Sequence, residues 1–336
     1  MKRFARILPA ILLLAGPAFA GPLQRQEVAA DAKWLLHLDI DQLRSTPEGD
    51  YLVKEIADRV VDEPKAVLKR EVDFDLDFTK ASSITAYGDY SSNSVLLLKT
   101  DLDVERLVDA ALIQMAKAKN IPSWPVDKSV RDGALTYTFP DQVSLWIRPD
   151  KIVLFSKSAS ATEKANEVLA GRVANLTSSS TFSDFPEAQK TFFFFGAAQG
   201  FNGYPDLNTK TGMAGTNNPK AKILKLTESG RIVMGQDADQ VFVNFALKAK
   251  TPEVVTQMQQ VIQGMIALAS LTASDNDDVQ LLTDSAKVSA AGNIVSLNLN
   301  FPADKALLIL SKQLDRRDQK RQLGVQTNAP PETSDK

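Results

Sequence analysis

The sequence predicts an α+β fold made of two related repeats, each an antiparallel sheet with helices packed on one face. The chain has 336 residues, which exceeds what one hydrophobic core needs, so two domains or two repeats are expected. Runs that alternate apolar and polar residues indicate strands, and segments with apolar residues at every third or fourth position indicate helices. The two kinds of segment follow one another in the same order in each half of the chain.

The first half begins with an alternating run and continues through a hairpin into a helix. From Trp34 to Asp41 the even positions are all apolar, as in a strand with one covered face. A helical pattern around Tyr51 follows it. The other predicted elements are the hairpin strands 84–87 and 95–98, a helix over 104–115, strands over 135–139, 143–147 and 152–155, and a helix over 162–169.

The second half repeats this order after an aromatic strand that ends at Phe195. Its long helix, Val254 to Leu271, is opened by Thr251-Pro252-Glu253, in which Thr251 can cap the first turn and Pro252 suits the first helical position. The other predicted elements are the hairpin strands 232–234 and 241–247, strands over 279–288 and 294–299, and a closing helix over 302–314.

A constant sequence offset relates the two long helices. Each of five apolar positions in the first helix has an apolar counterpart 150 residues later, which is a domain-sized spacing. Gly235 also stands in the second hairpin where Gly88 stands in the first. These matches favour a duplication, although two unrelated α+β domains can share such an order by chance. The paired positions are Val104, Val108, Ala111, Leu112 and Met115 with Val254, Met258, Val261, Ile262 and Met265.

The N-terminus predicts a signal peptide over residues 1–20. Basic residues precede the apolar run Ile7 to Leu14, and Ala18-Phe19-Ala20 provides small residues for cleavage after Ala20. A membrane anchor would need about 20 apolar residues, and this run is shorter and interrupted by prolines. We therefore expect a periplasmic or secreted protein with no transmembrane segment in the mature chain.

The predicted boundaries follow from these elements. The first repeat covers 21–174, a Ser/Thr-rich linker covers 175–186, the second repeat covers 187–315, and a charged, disordered tail covers 316–336. The halves differ most at Gly196 to Pro219, a long aperiodic segment rich in glycine and asparagine. A loop of that length is either functional or mobile.

The layout resembles a broad class of exported bacterial two-repeat α+β proteins of unknown function. The matching features are Trp34 in the first strand, Tyr87-Gly88 in the hairpin, and the helix from Val254 to Leu271. The resemblance implies the fold and export of the chain. It supplies no catalytic or binding residues.

Composition and motifs exclude several chemistries. The chain has no cysteine and a single histidine, so thiolate metal sites and cysteine nucleophiles are excluded. Without the predicted leader, 36 basic and 41 acidic side chains remain, and no basic patch with aromatics points to nucleic acid. Nucleotide-binding glycine motifs are missing too. We predict no cofactor and assign no catalytic, cofactor-binding or metal-ligating residue.

The best available candidate for an enzymatic or metal site is His37 with Asp39 and Asp41. Strand alternation would place the three side chains on one face, where imidazole and carboxylate could bind a metal. A zinc site of the usual kind needs a second histidine. The favoured interpretations are therefore a solvated polar strand face, or carboxylates that cap the following helix.

Four other patterns have simpler explanations. Asp73, Asp75 and Asp77 alternate with apolar residues and lack the glycine and glutamate of a calcium loop. Residues 275–278 form an acidic cluster that we expect to begin a turn. Residues 210–212 read Lys-Thr-Gly without the other motifs of a penicillin-binding protein. The basic residues Arg316, Arg317, Lys320 and Arg321 are expected to form a solvated helix end.

Phe192 to Phe195 places aromatic residues on both faces of a strand. This is typical of a central, covered strand, with an apolar cavity as the alternative. The favoured function is a non-enzymatic exported protein that binds an unknown protein or envelope component through its sheet faces or its glycine-rich loop. The alternatives are a carboxylate-dependent envelope hydrolase and a periplasmic carrier of apolar molecules.

Overall fold

The computed structural model describes residues 23–55, 69–70, 77, 80–91, 93–183, 192–201, 225–272 and 276–326, the last ten of these by backbone alone. It confirms an α+β fold, in which all the strands join one antiparallel sheet. The strands are β1 Trp34–Asp39, β2 Ala81–Gly88, β3 Ser94–Thr100, β4 Asp127–Arg131, β5 Ala134–Thr138, β6 Ser144–Ile147, β7 Ile152–Ser156, β8 Phe194–Gln199, β9 Thr227–Asp237, β10 Gln240–Ala249, β11 Lys287–Ala291 and β12 Ile294–Pro302.

The sheet is continuous across the two halves of the chain. Its strand order is β11-β12-β10-β9-β8-β1-β2-β3-β7-β6-β5-β4. The halves meet where β1 pairs with β8, with Trp34 opposite Ala198 and Leu38 opposite Phe194. The first strands of the two halves therefore lie side by side at the centre, and each half extends outward from this junction.

The helices are α1 Ile40–Arg44, α2 Val104–Lys119, α3 Ala159–Leu169, α4 Glu253–Thr272, α5 Asp277–Ser285 and α6 Ala303–Gln326. Residues 47–55 are also helical. Asp103 caps α2 by accepting a hydrogen bond from the Arg106 amide, and Ser158 caps α3 in the same way through the Ala161 amide. Within the described ranges, no helix is both long and apolar enough to cross a membrane.

In the first half, helices cover both faces of the sheet, so the expectation of one covered face is wrong there. Leu98 of β3 packs in a core with Leu107 of α2. Its neighbour Leu97 packs in a separate core with Ala165 of α3. Successive strand residues point to opposite faces, so α2 and α3 must lie on opposite sides. Both faces of β3 are apolar, which requires a layer on each side.

In the second half, α4, α5 and α6 pack against one face, as the sequence predicts. Leu247 of β10 packs with Met258 of α4. Val241, on the same face of β10, packs in a cluster with Leu282 of α5 and Ala306 of α6. This is also the face on which α2 lies in the first half, because the strand register is continuous from β3 through β1 and β8 to β10.

Two stretches of the chain adopt elements that differ from prediction. Residues 127–131 form an edge strand that the sequence pattern missed, because its charged residues are exposed on both faces. The predicted strand over 279–288 is instead α5 followed by β11. Asn276 explains the change, because its side chain accepts hydrogen bonds from the amides of Asp278 and Val279 and so begins a helix.

The expected linker and tail also contain ordered elements. The described part of the linker packs on the first half, where Leu176 is buried in the core and its carbonyl accepts a hydrogen bond from Arg25. Helix α6 continues past Leu314 to Gln326, because the intervening residues are mostly long-chain helix formers with both charges interspersed. The glycine-rich segment begins inside β8, since Gly196 pairs with Leu36.

Candidate functional site

An open trough lies at the centre of the sheet, on the face that bears α2 and α4. Its floor spans the four strands β1, β8, β9 and β10, and it encloses about 590 Å³. Ligand sites for small molecules typically have volumes of about 300–1,000 Å³. The floor residues are Trp34, Leu36, Gly196, Ala198, Gly230, Ile232, Phe245 and Leu247.

Strand register produces two rows of floor residues. Trp34, Ala198, Gly230 and Leu247 are paired in succession across the four strands and form the outer row. Leu36, Gly196, Ile232 and Phe245 form the inner row, two residues further along each strand. Neighbouring strands are about 4.8 Å apart, so each row is about 14 Å long. The floor is therefore a flat apolar surface rather than a narrow hole.

Two glycines in the floor leave the space above the sheet unfilled. A Cβ atom on Gly196 would lie 2.9 Å from Ile232 Cγ2, and one on Gly230 would lie 3.0 Å from Leu247 Cδ2. Carbon atoms at these separations repel one another. The bare backbone at both positions thus leaves room above the sheet that any larger residue would fill.

The floor exposes large apolar side chains in the middle of a sheet. Leu36 is 45% exposed and Phe245 is 36% exposed. Their neighbours on the same face are covered, since Leu38 packs against the core under α2 and Leu247 packs against α4. The trough is thus a gap between two helical layers. Contiguous apolar surface of this kind usually marks a binding site.

The loop between β2 and β3 forms a rim of the trough at its outer end. Trp34 Nε1 donates a hydrogen bond to the Asp89 carbonyl at 2.8 Å, and Tyr90 Oη donates to the Gln199 carbonyl at 2.7 Å. Burial would raise the pKa of Asp89, but hydrogen bonds from Ser91 and Asn93 hold that pKa below its usual value. The rim is therefore fixed to β1 and β8, and its carboxylate is already satisfied.

His37, Asp39 and Asp41 do not form the shared strand face considered from the sequence. His37 and Asp39 lie on the face opposite the trough and are only 2% and 6% exposed, so the interpretation as a solvated face is wrong. Asp41 lies in α1, where it pairs with Arg44 at 2.5 Å. The capping interpretation is confirmed for Asp39, which accepts a hydrogen bond from the Gln42 amide.

The buried surroundings of His37 disfavour a positive charge on its imidazole. Burial, with a smaller effect from Lys99, lowers the pKa of His37 to about 4. Burial raises the pKa of Asp39 despite the Gln42 hydrogen bond, and burial likewise raises that of Asp41 despite Arg44. Among the described residues, no group of three His, Cys, Asp or Glu side chains could hold a metal ion.

The other sequence candidates are dispersed or fall outside the described residues. Asp73, Asp75 and residues 210–212 lie outside them. Residues 277 and 278 open α5 rather than a turn, and Asp278 pairs with Lys312 at 2.9 Å. Arg316 lies within α6, well before the end of that helix at Gln326. Of these candidates, those that the structure describes do not line the trough.

The last two residues of the aromatic run, Phe194 and Phe195, begin a central strand, as predicted, whereas Phe192 and Phe193 precede it. β8 lies between β1 and β9. Phe195 packs into the core under α3, whereas Phe194 lies on the trough side beside Gly196. Sequence reasoning missed the trough itself. Its available signal was the pair of glycines, Gly196 and Gly230, each inside a strand-like run where glycine often marks a close approach.

Comparison with known proteins identifies no family. No family model matches the chain, and no curated protein matches it. Crystal form III of a protein named TP0453 aligns with 88% of this chain and 100% of its own, at 12% sequence identity and a TM-score of 0.47. Crystal form I of TP0453 aligns with 87% of this chain and 98% of its own, at 10% identity and a TM-score of 0.44. A likeness this distant identifies no function for the chain.

Proposed function

We propose that this protein is a non-enzymatic binding protein that holds a small apolar ligand in the central trough. The observation that carries the proposal is that Leu36 and Phe245 are exposed between two helical layers. They lie on a floor where Gly196 and Gly230 have no side chains to fill the space above the sheet. Covering these side chains with an apolar molecule would remove them from water, at about 25 cal/mol for each Å² buried. The trough has the volume of a small-molecule site.

A carboxylate-dependent hydrolase has less support. His37 and Asp39 are buried in the sheet and lie on the face opposite the trough. A catalytic group must come within hydrogen-bond reach of its substrate, and these groups are covered. The Asp39 carboxylate is also engaged at the start of α1.

The duplication and the compartment are part of the same proposal. Outward from the central junction, the strands run β1-β2-β3-β7-β6-β5-β4 on one side and β8-β9-β10-β12-β11 on the other, so the first five positions correspond and β5 and β4 have no counterpart. This matching succession supports two related repeats, at 21–174 and 187–315. The predicted leader at 1–20 supports export, and with it a ligand that is encountered in the periplasm or outside the cell.

Trp34 provides a direct test, because its ring lies in the floor. A bromoalkyl alcohol should quench the Trp34 fluorescence on binding, and Trp34→Phe should remove most of the quenched signal. Ala198→Leu should weaken binding by filling the floor, whereas Ala118→Leu, on the exposed surface of α2, should not. Thermal unfolding of each variant verifies that it folds. Quenching that persists unchanged in both Trp34→Phe and Ala198→Leu would place the ligand elsewhere.

A further inference from the structure

We infer that β11 is a docking site for an extended segment of a partner protein. The segment adds to the edge of the sheet as a further strand and places an aliphatic side chain in a cavity beside α4. This inference goes beyond the proposed function, because the cavity shares no lining residue with the trough. It follows from the unpaired edge of β11 and from the position of the cavity along that edge.

The strand β11 is the last strand of the sheet, and β12 is its neighbour among the described strands. The two strands are joined by the two-residue loop Gly292-Asn293, which is flanked by the paired residues Ala291 and Ile294. Residues that flank such a loop exchange hydrogen bonds, and bonded and non-bonded pairs then alternate along the two strands. Val288 and Ala290 therefore direct their backbone N–H and C=O groups away from β12.

These outward backbone groups of Val288 and Ala290 have no hydrogen-bond partner in the described part of the chain. An unpaired strand edge readily pairs with other extended chains unless charged residues protect it. The strand β11 has one charged residue, Lys287 at its start, whereas three of the five residues in the opposite edge strand β4 are charged. The edge of β11 is thus the less protected end of the sheet.

A cavity of about 330 Å³ lies along this edge. Val288 lines it and also packs in the core with Met258 of α4, so the cavity is on the face of the sheet that α4 covers. No residue of β12 is in the described lining. The cavity therefore lies on the outer side of β11 rather than above the middle of the sheet. Its apolar lining residues are Ile266 and Ala267 of α4, with Ala286 and Val288.

A strand that pairs with β11 has access to both the backbone edge and the cavity. Residues directly opposite each other in neighbouring strands point to the same face. The side chain opposite Val288 would therefore enter the cavity, on a backbone about 4.8 Å from β11. In sites of strand addition, main-chain hydrogen bonds provide affinity and pockets for alternate side chains provide specificity. Because Ile266, Ala267 and Val288 are apolar, the side chain that this pocket selects is aliphatic.

A second copy of this chain fits the docking site less well than a different protein does. Antiparallel pairing of two β11 strands about Ser289 sets Val288 of one copy opposite Ala290 of the other. The cavity of about 330 Å³ would then receive only the methyl group of an alanine. A strand with a larger aliphatic residue fills more of this space and removes more apolar surface from water. We therefore assign the site to a segment of a different protein.

Fluorescence anisotropy of a labelled peptide, Lys-Val-Thr-Ile-Thr-Lys amide, tests strand addition to the full-length protein. One version of the peptide is N-methylated at its two apolar residues and another at its two threonines, which removes the donors of one edge or the other. A single one of these versions should still bind, because one edge of the peptide faces β11.

Ala290→Pro removes an outward N–H and should weaken binding of the unmodified peptide about fivefold, as for about 1 kcal/mol. Val130→Pro is the matched control and should leave binding unchanged. Val130 is the residue before the last in β4, as Ala290 is in β11, and a two-residue loop follows both strands. Thermal unfolding verifies that both variants fold.

The cavity is tested by the size of the peptide side chain. Replacing the isoleucine of the peptide with alanine should weaken binding to the parent protein about tenfold, as for about 1.4 kcal/mol of lost apolar burial. Ala267→Leu fills the cavity and should remove this preference. Ala118→Leu, on the exposed surface of α2, should preserve it.

Several results would overturn the inference. They are no binding of the peptide, equal binding of its two N-methylated versions, and undiminished binding to Ala290→Pro. A preference for isoleucine that persists in Ala267→Leu would show that the cavity does not receive the side chain. Dimerisation of the protein that Ala290→Pro abolishes, without binding of the peptide, would identify a second copy as the occupant and would also overturn the assignment.

Discussion

His37 and Thr85 face each other across β1 and β2, with His37 Nδ1 2.9 Å from Thr85 Oγ1 in a buried position. His37 Nε2 has no hydrogen-bond partner among the described residues. The site therefore suits a neutral imidazole and opposes the imidazolium, because a second buried charge-bearing N–H would lack an acceptor. Lys99, which pairs with Glu27 at 2.7 Å, adds a repulsive positive charge.

This relationship predicts a loss of stability in mild acid. The pKa of His37 falls from 6.5 in the unfolded chain to about 4 in the folded protein, so the unfolded state binds the extra proton first. Stability should be unaffected above pH 6.5, decrease as the pH falls from 6.5, and level off below about 4 after a loss of about 3 kcal/mol. Urea unfolding at several pH values measures the loss of stability, and NMR of the single histidine measures the pKa of His37 in the folded protein.

The control for this prediction is His37→Phe, which removes the titrating group. Burial raises the pKa values of Asp39 and Asp41, so the protonation of these two groups acts on stability in the opposite direction to that of His37. The difference between the parent protein and His37→Phe isolates the histidine. A His37 ring that titrates near 6.5 in the folded protein would contradict the prediction.

Two glycines in contrasting surroundings give the second prediction. Gly264 lies on the exposed side of α4, where a Cβ would have nothing within 4 Å, whereas a Cβ on Gly196 would approach Ile232 Cγ2 to 2.9 Å. Gly264→Ala should stabilise the protein by about 0.5–1 kcal/mol, because alanine loses less backbone entropy in a helix. Gly196→Ala should destabilise it by about 1–3 kcal/mol through overpacking.

Denaturant unfolding of both variants measures these changes, and each serves as the control for the other. Gly196→Ala should also weaken the binding of a bromoalkyl alcohol, since its methyl group enters the trough. A stabilising Gly196→Ala with unchanged binding would show that Ile232 moves aside at no cost and that the floor is not set by this glycine.

The sequence predicted elements whose signals are local. The alternation of Trp34 to Asp39 and the helical spacing from Val254 onward both correspond to observed elements. The edge strand Asp127–Arg131 was missed because it buries no face. The sequence also could not predict on which face of the sheet α3 packs. Apolar residues on both faces of β3 and β7 show that each face is covered, but they do not show which helix covers it.

The trough could not be predicted because it depends on pairing between distant parts of the chain. Leu36 and Phe245 are separated by most of the sequence and share a row only because β1 pairs with β8, β8 with β9, and β9 with β10. Each residue taken alone has the pattern of an ordinary core position. Their exposure arises from the gap between α2 and α4, which is a property of helix placement rather than of either strand.

The third prediction concerns the rim of the trough, where Tyr90 Oη donates to the Gln199 carbonyl at 2.7 Å. Tyr90→Phe removes this donor and leaves the carbonyl to water, which should destabilise the protein by about 1 kcal/mol. Tyr51→Phe, in the exposed part of the helix over 47–55, is the matched control and should be neutral. Thermal or urea unfolding measures both changes.

The same substitution tests whether the rim shapes the binding site. The hydrogen bond joins the β2–β3 loop to the end of β8, next to Ala198 in the outer row of the floor. Without it, the Gln199 amide should exchange its hydrogen faster, because the β8 end that it anchors opens more often. Faster dissociation of the bromoalkyl alcohol should accompany this change. Unaltered exchange and dissociation in a destabilised Tyr90→Phe would mean that the tyrosine supports the fold but does not close the trough.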